Sequence, residues 1–144
     1  MLPPLLYGAA LIVILALRWF WPMPIFAHAI ALWSGLALVV FAVTIAMWGR
    51  RAMHAAGTNI SPLRPATAVV TNGPFRFSRN PLYVSLTLLY LGLTLAFNTW
   101  WGIVGLVPLL IVMHYGVVVR EERYLEQKFG ETYRQYRSTV RRYL

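Results

Sequence analysis

The stretch LYVSLTLLYLGLTLAFNTWWGIVGLVPLLIVMHYGVVV, from Leu82 to Val119, contains no aspartate, glutamate, lysine or arginine, and Asn98 divides it near the middle. A membrane helix takes roughly 20 apolar residues, and in hydrocarbon the backbone must satisfy its own hydrogen bonds. Leu82 to Phe97 and Thr99 to Val119 therefore read as two membrane helices joined by a very short turn into a hairpin. Trp100 and Trp101, just past the turn, suit the aromatic belt of a membrane interface. Polar chemistry belongs at the other end of the hairpin, where Arg79-Asn80-Pro81-Leu82-Tyr83 precedes the first helix and Glu121-Glu122 follows the second.

Ahead of the hairpin, Ile25 to Trp48 is a long, nearly uncharged run and a further span. Leu5 to Trp21 is shorter, and Arg18 near its end can snorkel toward the headgroups. Pro22-Met23-Pro24 makes a tight link between them. The first run lacks the preceding basic stretch and following small residues of a cleaved signal peptide, so it is expected to be retained. If it lay in the interface instead, three spans would remain.

With 144 residues, 59% hydrophobic, 12% charged and mean hydropathy +0.61, the chain is far from the soluble balance, in which about a quarter of residues are charged. The expected fold class is all-α: an integral membrane helical bundle of about four transmembrane helices plus a C-terminal interfacial amphipathic helix, as a single domain over 1–144. No room is left for a separate soluble catalytic domain. Cysteine is absent, which excludes disulfides, thiolate nucleophiles and cysteine metal sites. The net charge of +9 resides beside apolar spans, so anionic membrane lipids and not nucleic acid are the expected partners. Arginine supplies all the basic residues except Lys128, which suits bidentate contact with phosphate or carboxylate.

Gly49 to Asn80 is a polar loop with Arg50, Arg51, His54, Arg64, Arg76 and Arg79, broken by Gly57, Pro62, Pro65, Gly73 and Pro74. A loop of that length in so small a protein is usually functional. The last span is expected to continue through Arg120 to Phe129 and to stop at Gly130. Glu131 to Leu144 sets Tyr133, Tyr136, Val140 and Tyr143 on one side and Arg134, Arg137, Arg141 and Arg142 elsewhere, the pattern of a helix lying on a membrane. By the positive-inside rule the loop 49–80 and tail 120–144 face the cytoplasm, with four spans and both ends inside.

Asn80 followed by Pro81 has the chemistry of a helix N-cap and first turn, and a helix start beside Arg79 also attracts a carboxylate or phosphate. Glu121 and Glu122 would pair with flanking Arg120 and Arg123 at an ordinary helix end. In a chain with four acids, an adjacent pair is also a good acceptor for ribose hydroxyls or an amino group. His114 lies seven residues before Glu121, two helical turns away on the same face, and an ionisable group inside a span is a functional candidate. A bond to a neighbouring helix would serve it equally. His28 and His54 read as structural or solvated, and the three histidines have no metal-ligand spacing. Most aromatics fit an interfacial belt; Phe75 and Tyr83 flank the Arg79–Pro81 cluster, where their faces could hold a sulfonium or another cation.

The run Thr71-Asn-Gly-Pro-Phe-Arg-Phe-Ser-Arg-Asn-Pro-Leu-Tyr83, then Glu121-Glu-Arg-Tyr-Leu-Glu-Gln-Lys-Phe-Gly130, then Tyr133-x-x-Tyr136 and Val140-Arg141, resembles the isoprenylcysteine carboxyl methyltransferase family. Related phospholipid N-methyltransferases share the acidic pair and the hairpin. The resemblance covers the chain from about Thr67 onward. It implies S-adenosylmethionine as cofactor, with contacts from Thr67, Ala68, Val69, Val70, Phe75, Asn80, Pro81, Leu82, Tyr83, Glu121 and Glu122. The Asn80 position is histidine in the eukaryotic isoprenylcysteine enzymes, and an arginine they carry one turn before the acidic pair corresponds to Val117. The likeness thus speaks for the cofactor more than for the acceptor.

The reaction implied is displacement at a sulfonium methyl group by an oxygen or nitrogen of a lipophilic or lipidated substrate. That chemistry needs alignment and dryness more than acid–base power. A carboxylate acceptor needs no base; an amine or hydroxyl does, and His114 is the candidate, with Arg79 and Arg120 available to position the substrate. Two other readings stand beside it. Steroid-reductase-like membrane proteins carry a similar Arg-x-Pro-x-Tyr segment and tail and bind NADPH; a noncatalytic lipid-binding protein would use the same spans. Four spans leave room for a homodimer without requiring one.

Overall fold

The computed structural model describes residues 2–59 and 66–143; Pro62, Arg64 and Pro65 of the basic loop lie outside the described residues. Among the described residues every regular element is helical: α1 (Pro3–Phe20), α2 (His28–Ala55), α3 (Pro81–Ala96), α4 (Trp100–Met113), α5 (Val119–Phe129) and α6 (Glu131–Thr139). A short 3-10 turn, Gly73–Arg76, precedes α3. A π turn, His114–Val118, joins α4 to α5 so that Trp100–Phe129 is one continuous helix. The chain is an all-helical membrane bundle. Pro3–Phe20, His28–Ala55 and Trp100–Phe129 are long and apolar enough to cross a membrane, whereas α3 has 16 residues.

The hairpin turn is set by Asn98, whose φ of +50° is a left-handed conformation that asparagine tolerates better than most residues. Its side chain then ties two connections together. Oδ1 accepts from Ile25 N at 2.8 Å and Phe26 N at 3.0 Å, and Nδ2 donates to Phe26 O at 2.8 Å. Trp100 N donates to Met23 O at 2.9 Å and Trp101 Nε1 to Trp21 O at 2.8 Å. The link between α1 and α2 therefore sits at the same end of the bundle as the α3–α4 turn.

Between membrane helices, close packing replaces the hydrophobic drive, because lipid is as apolar as leucine. Gly35 of α2 faces Gly92 and Ala96 of α3; a Cβ there would overlap Ala96 N and come within 2.6 Å of Gly92 O. Gly102 of α4 meets Thr94 of α3 equally closely. The buried core, Tyr7, Ile14, Tyr90, Leu109 and Met113, draws two members from α1, which packs along α4 and α3 as part of the bundle.

Several boundaries differ from the sequence reading. α2 begins at His28 and runs to Ala55, so Arg50, Arg51 and His54 lie on a helix and not in the loop expected from Gly49. Gly49 keeps a helical conformation, buried against Leu82, and the chain turns only at Gly57, whose φ is +65°, just past the cap Ala56. α5 ends where expected, at Gly130 with φ +55°. α6 is shorter than Glu131–Leu144: it stops at Thr139, and Val140 turns to an extended conformation. The apolar side of α6 is not left for lipid, since Tyr133 and Tyr136 are buried within the protein.

Candidate functional site

The two polar clusters meet. Tyr83, in the first turn of α3, donates to Glu121 Oε2 at 2.6 Å. Glu122, 6% exposed, lies 3.3 Å from Arg79 Nη1, and Arg142 donates to it bidentately at 3.0 and 2.8 Å. The flanking Arg120 and Arg123 are exposed and make neither of these contacts, contrary to the local pairing of an ordinary helix end. A helix neighbour is a weak partner in water, while partners brought from another element can be desolvated and bidentate.

Asn80 stands at the N-cap position and Pro81 at the first helical residue, as expected, but the asparagine side chain does not cap. Its Nδ2 donates instead to Arg142 O at 2.9 Å. The first free turn is closed by the Asn80 carbonyl, which accepts from Tyr83 N and Val84 N at 3.0 Å. The Arg79 side chain is buried, yet its Nε and Nη1 have no hydrogen-bond partner, since Nη1 touches Glu122 in charge contact without hydrogen-bond alignment.

The other expected cofactor contacts fall into two groups. Thr67 and Ala68 are fastened to the end of α2, with Thr67 N donating to Thr58 Oγ1 at 3.0 Å and Thr67 Oγ1 to Gly57 O at 3.0 Å; Val70 is buried. Phe75 O accepts from Tyr136 Oη at 2.7 Å, and Leu82 packs against Gly49 of α2. Burial pushes the Tyr133 and Tyr136 phenols up, with Arg79 opposing it at both, so each stays neutral through the physiological range.

Beside these contacts, α1, α3, α4, the π turn and Tyr143 border a half-open cavity of about 480 Å³. Tyr83, His114 and Tyr143 line one part of its wall, Tyr7 and Thr87 another, and Leu88 and Leu110 are among its apolar residues. Tyr7 Oη and Thr87 Oγ1 are hydrogen-bonded at 2.6 Å. His114 reaches this wall but does not share a face with Glu121. The π turn inserts a residue, and Val119 N bonds back to His114 O, which rotates the downstream helix by about 100° relative to a regular α-helix. Neither Arg79 nor Arg120 lines the cavity.

Sequence reasoning missed Arg142 and Tyr143 as site residues. The helical pattern of the tail puts Arg142 on a solvated side and Tyr143 on a membrane-facing one, but the chain abandons that pattern at Thr139. The only available signal was a tyrosine and arginines in a row after the last helix.

Residues 30–132 match the phospholipid methyltransferase family, and the chain belongs to it. This agrees with the motif resemblance, since that family is related to the isoprenylcysteine enzymes. An uncharacterised protein of Haemophilus influenzae is 40% identical over 63 residues, which is 44% of this chain and the whole of that protein. No solved structure matches. The family assignment makes the chain a membrane methyltransferase.

Proposed function

We propose that this protein transfers a methyl group from S-adenosylmethionine to a lipid-like or lipidated acceptor at the cytoplasmic membrane face. The observation that carries the reading is the union of the two clusters, Tyr83 with Glu121 and Arg79 with Glu122, beside an apolar cavity. Four spans with the basic loop and tail inside would set this union on the cytoplasmic side. The residues present fit the cofactor's chemistry: Glu121, exposed and bonded to the Tyr83 phenol, suits ribose hydroxyls or an amino group, while Arg79, closed against Glu122, holds the wall behind it. Bound there, S-adenosylmethionine supplies an electrophilic methyl group.

The chain's own residues supply the rest. The cavity walls exclude water and hold an apolar acceptor chain entering from the bilayer between helices. Among the described residues no arginine or lysine lines the cavity, and Val117 packs against the core where related enzymes carry an arginine. A carboxylate acceptor would be desolvated there without a partner, so an amine or hydroxyl is favoured. Such an acceptor must lose a proton, and His114 at the wall accepts it.

Titration calorimetry on protein purified in detergent tests the reading, with S-adenosylmethionine and NADPH compared side by side. Binding of the methyl donor alone supports it. Absence of that binding, or preference for NADPH, overturns it in favour of a reductase.

A further inference from the structure

The residues after α6 form a strap over the site. Arg79 N donates to Arg141 O at 2.9 Å, Asn80 Nδ2 to Arg142 O at 2.9 Å, and the Arg142 guanidinium clamps Glu122. Segments beyond a last helix are poorly ordered unless tied down, and this one is held by α3's approach and by α5 together. The next residue, Tyr143, is thereby delivered to the cavity wall, where its Oη lies 2.8 Å from His114 Nδ1. Tyr115 packs edge-on against the same imidazole, with ring centroids 4.8 Å apart. His114 also opens the π turn, a feature that recurs at functional sites because it presents a side chain the α-helix would not.

We propose that Tyr143 is a positioning residue: carried by the Val140–Tyr143 strap, its hydroxyl fixes the orientation and tautomer of His114 at the acceptor cavity. This rests on the methyltransferase reading for its catalytic consequence, but the positioning itself does not. With Nδ1–H donating to the Tyr143 hydroxyl, Nε2 is left as the acceptor that the proposed proton transfer needs. The strap lies outside the segment matched to the family, 30–132. Glu122 then acts twice, partnering Arg79 and anchoring the strap through Arg142.

The test uses full-length protein in detergent micelles with 15N-labelled histidine, His114 being assigned by its loss in His114→Gln. The expected wild-type spectrum has His114 in a single ring tautomer. Tyr143→Phe keeps the ring and removes the hydroxyl, and should shift the His114 ring-nitrogen resonances toward tautomer averaging. Arg142→Gln, which unclamps the strap, should give the same change. A His114 spectrum identical in wild type and Tyr143→Phe overturns the proposal, whatever the activity.

Kinetics form the second arm, using a labelled methyl donor and aminophospholipid vesicles. Tyr143→Phe should lower kcat about tenfold with KM for the donor unchanged, as loss of one orienting hydrogen bond predicts. His114→Gln with Tyr143→Phe should fall no further than His114→Gln alone. Additive losses overturn the positioning role. Wild-type protein that neither binds the donor nor methylates refutes the function proposed above, and leaves the spectra to decide the His114–Tyr143 coupling.

Discussion

Tyr83 and Glu121, at opposite ends of the α3–α4 hairpin in sequence, are joined by a 2.6 Å hydrogen bond. The hairpin returns the chain to the level at which it began, and the acid after the second helix meets the phenol at the start of the first. Replacing Glu121 with glutamine keeps an acceptor for Tyr83 and removes the charge. The expected result is retained folding with S-adenosylmethionine affinity reduced about tenfold, read by calorimetry. Unchanged affinity would remove Glu121 from the cofactor site.

Glu122→Ala strands the buried Arg79 guanidinium and releases Arg142 at once. Breaking a buried ion pair by deleting one partner costs about 3 kcal/mol. The midpoint of denaturant unfolding in detergent should fall accordingly, and much more than for Glu131→Ala, whose pair with Arg134 is exposed.

Gly35→Ala places a methyl against the backbone of Ala96 and Gly92, which cannot swing aside as a side chain could. α2 and α3 must separate, at a cost on the order of 2 kcal/mol. Gly8 in α1 has nothing within 4 Å of an added Cβ, so Gly8→Ala should gain about 0.5–1 kcal/mol from helix propensity. Thermal midpoints moving in opposite directions check the pair.

Asn98→Ala loses three hydrogen bonds to the α1–α2 link and puts alanine at φ +50°. The expected destabilisation is about 2–3 kcal/mol. Asn98→Gly, which relieves only the backbone, should recover part of it in the same unfolding assay.

Leu88→Trp fills cavity space while leaving the Tyr83 and Glu121 side chains themselves unchanged. Methyl transfer to a lipid acceptor should drop at least about tenfold while donor binding by calorimetry stays unchanged. Equal loss of both would show that the cavity is not a separate acceptor site.

Much of this architecture was legible without coordinates. The uncharged run Leu82–Val119 with a break at Asn98, the spans before it and the stop at Gly130 all follow from local rules that hold wherever hydrocarbon or a helix end is the environment. Asn80 and Pro81 marked the start of α3 correctly for the same reason. The Asn80 side chain escaped the rule because Arg142 O, 62 residues away, offered a partner that local geometry does not contain.

By itself the sequence determined the class of molecule, an all-helical membrane bundle with two polar clusters at one hairpin's ends, because the apolar solvent leaves the backbone little choice. Only the tertiary structure decided which charges meet. Glu122 passes over its neighbours Arg120 and Arg123 for Arg79 and Arg142, since partners from other elements can enclose it away from water. The π turn at His114 and the extended strap at Val140 likewise break the regular helical period from which faces are read in a sequence. They bring His114 and Tyr143 together across 29 residues.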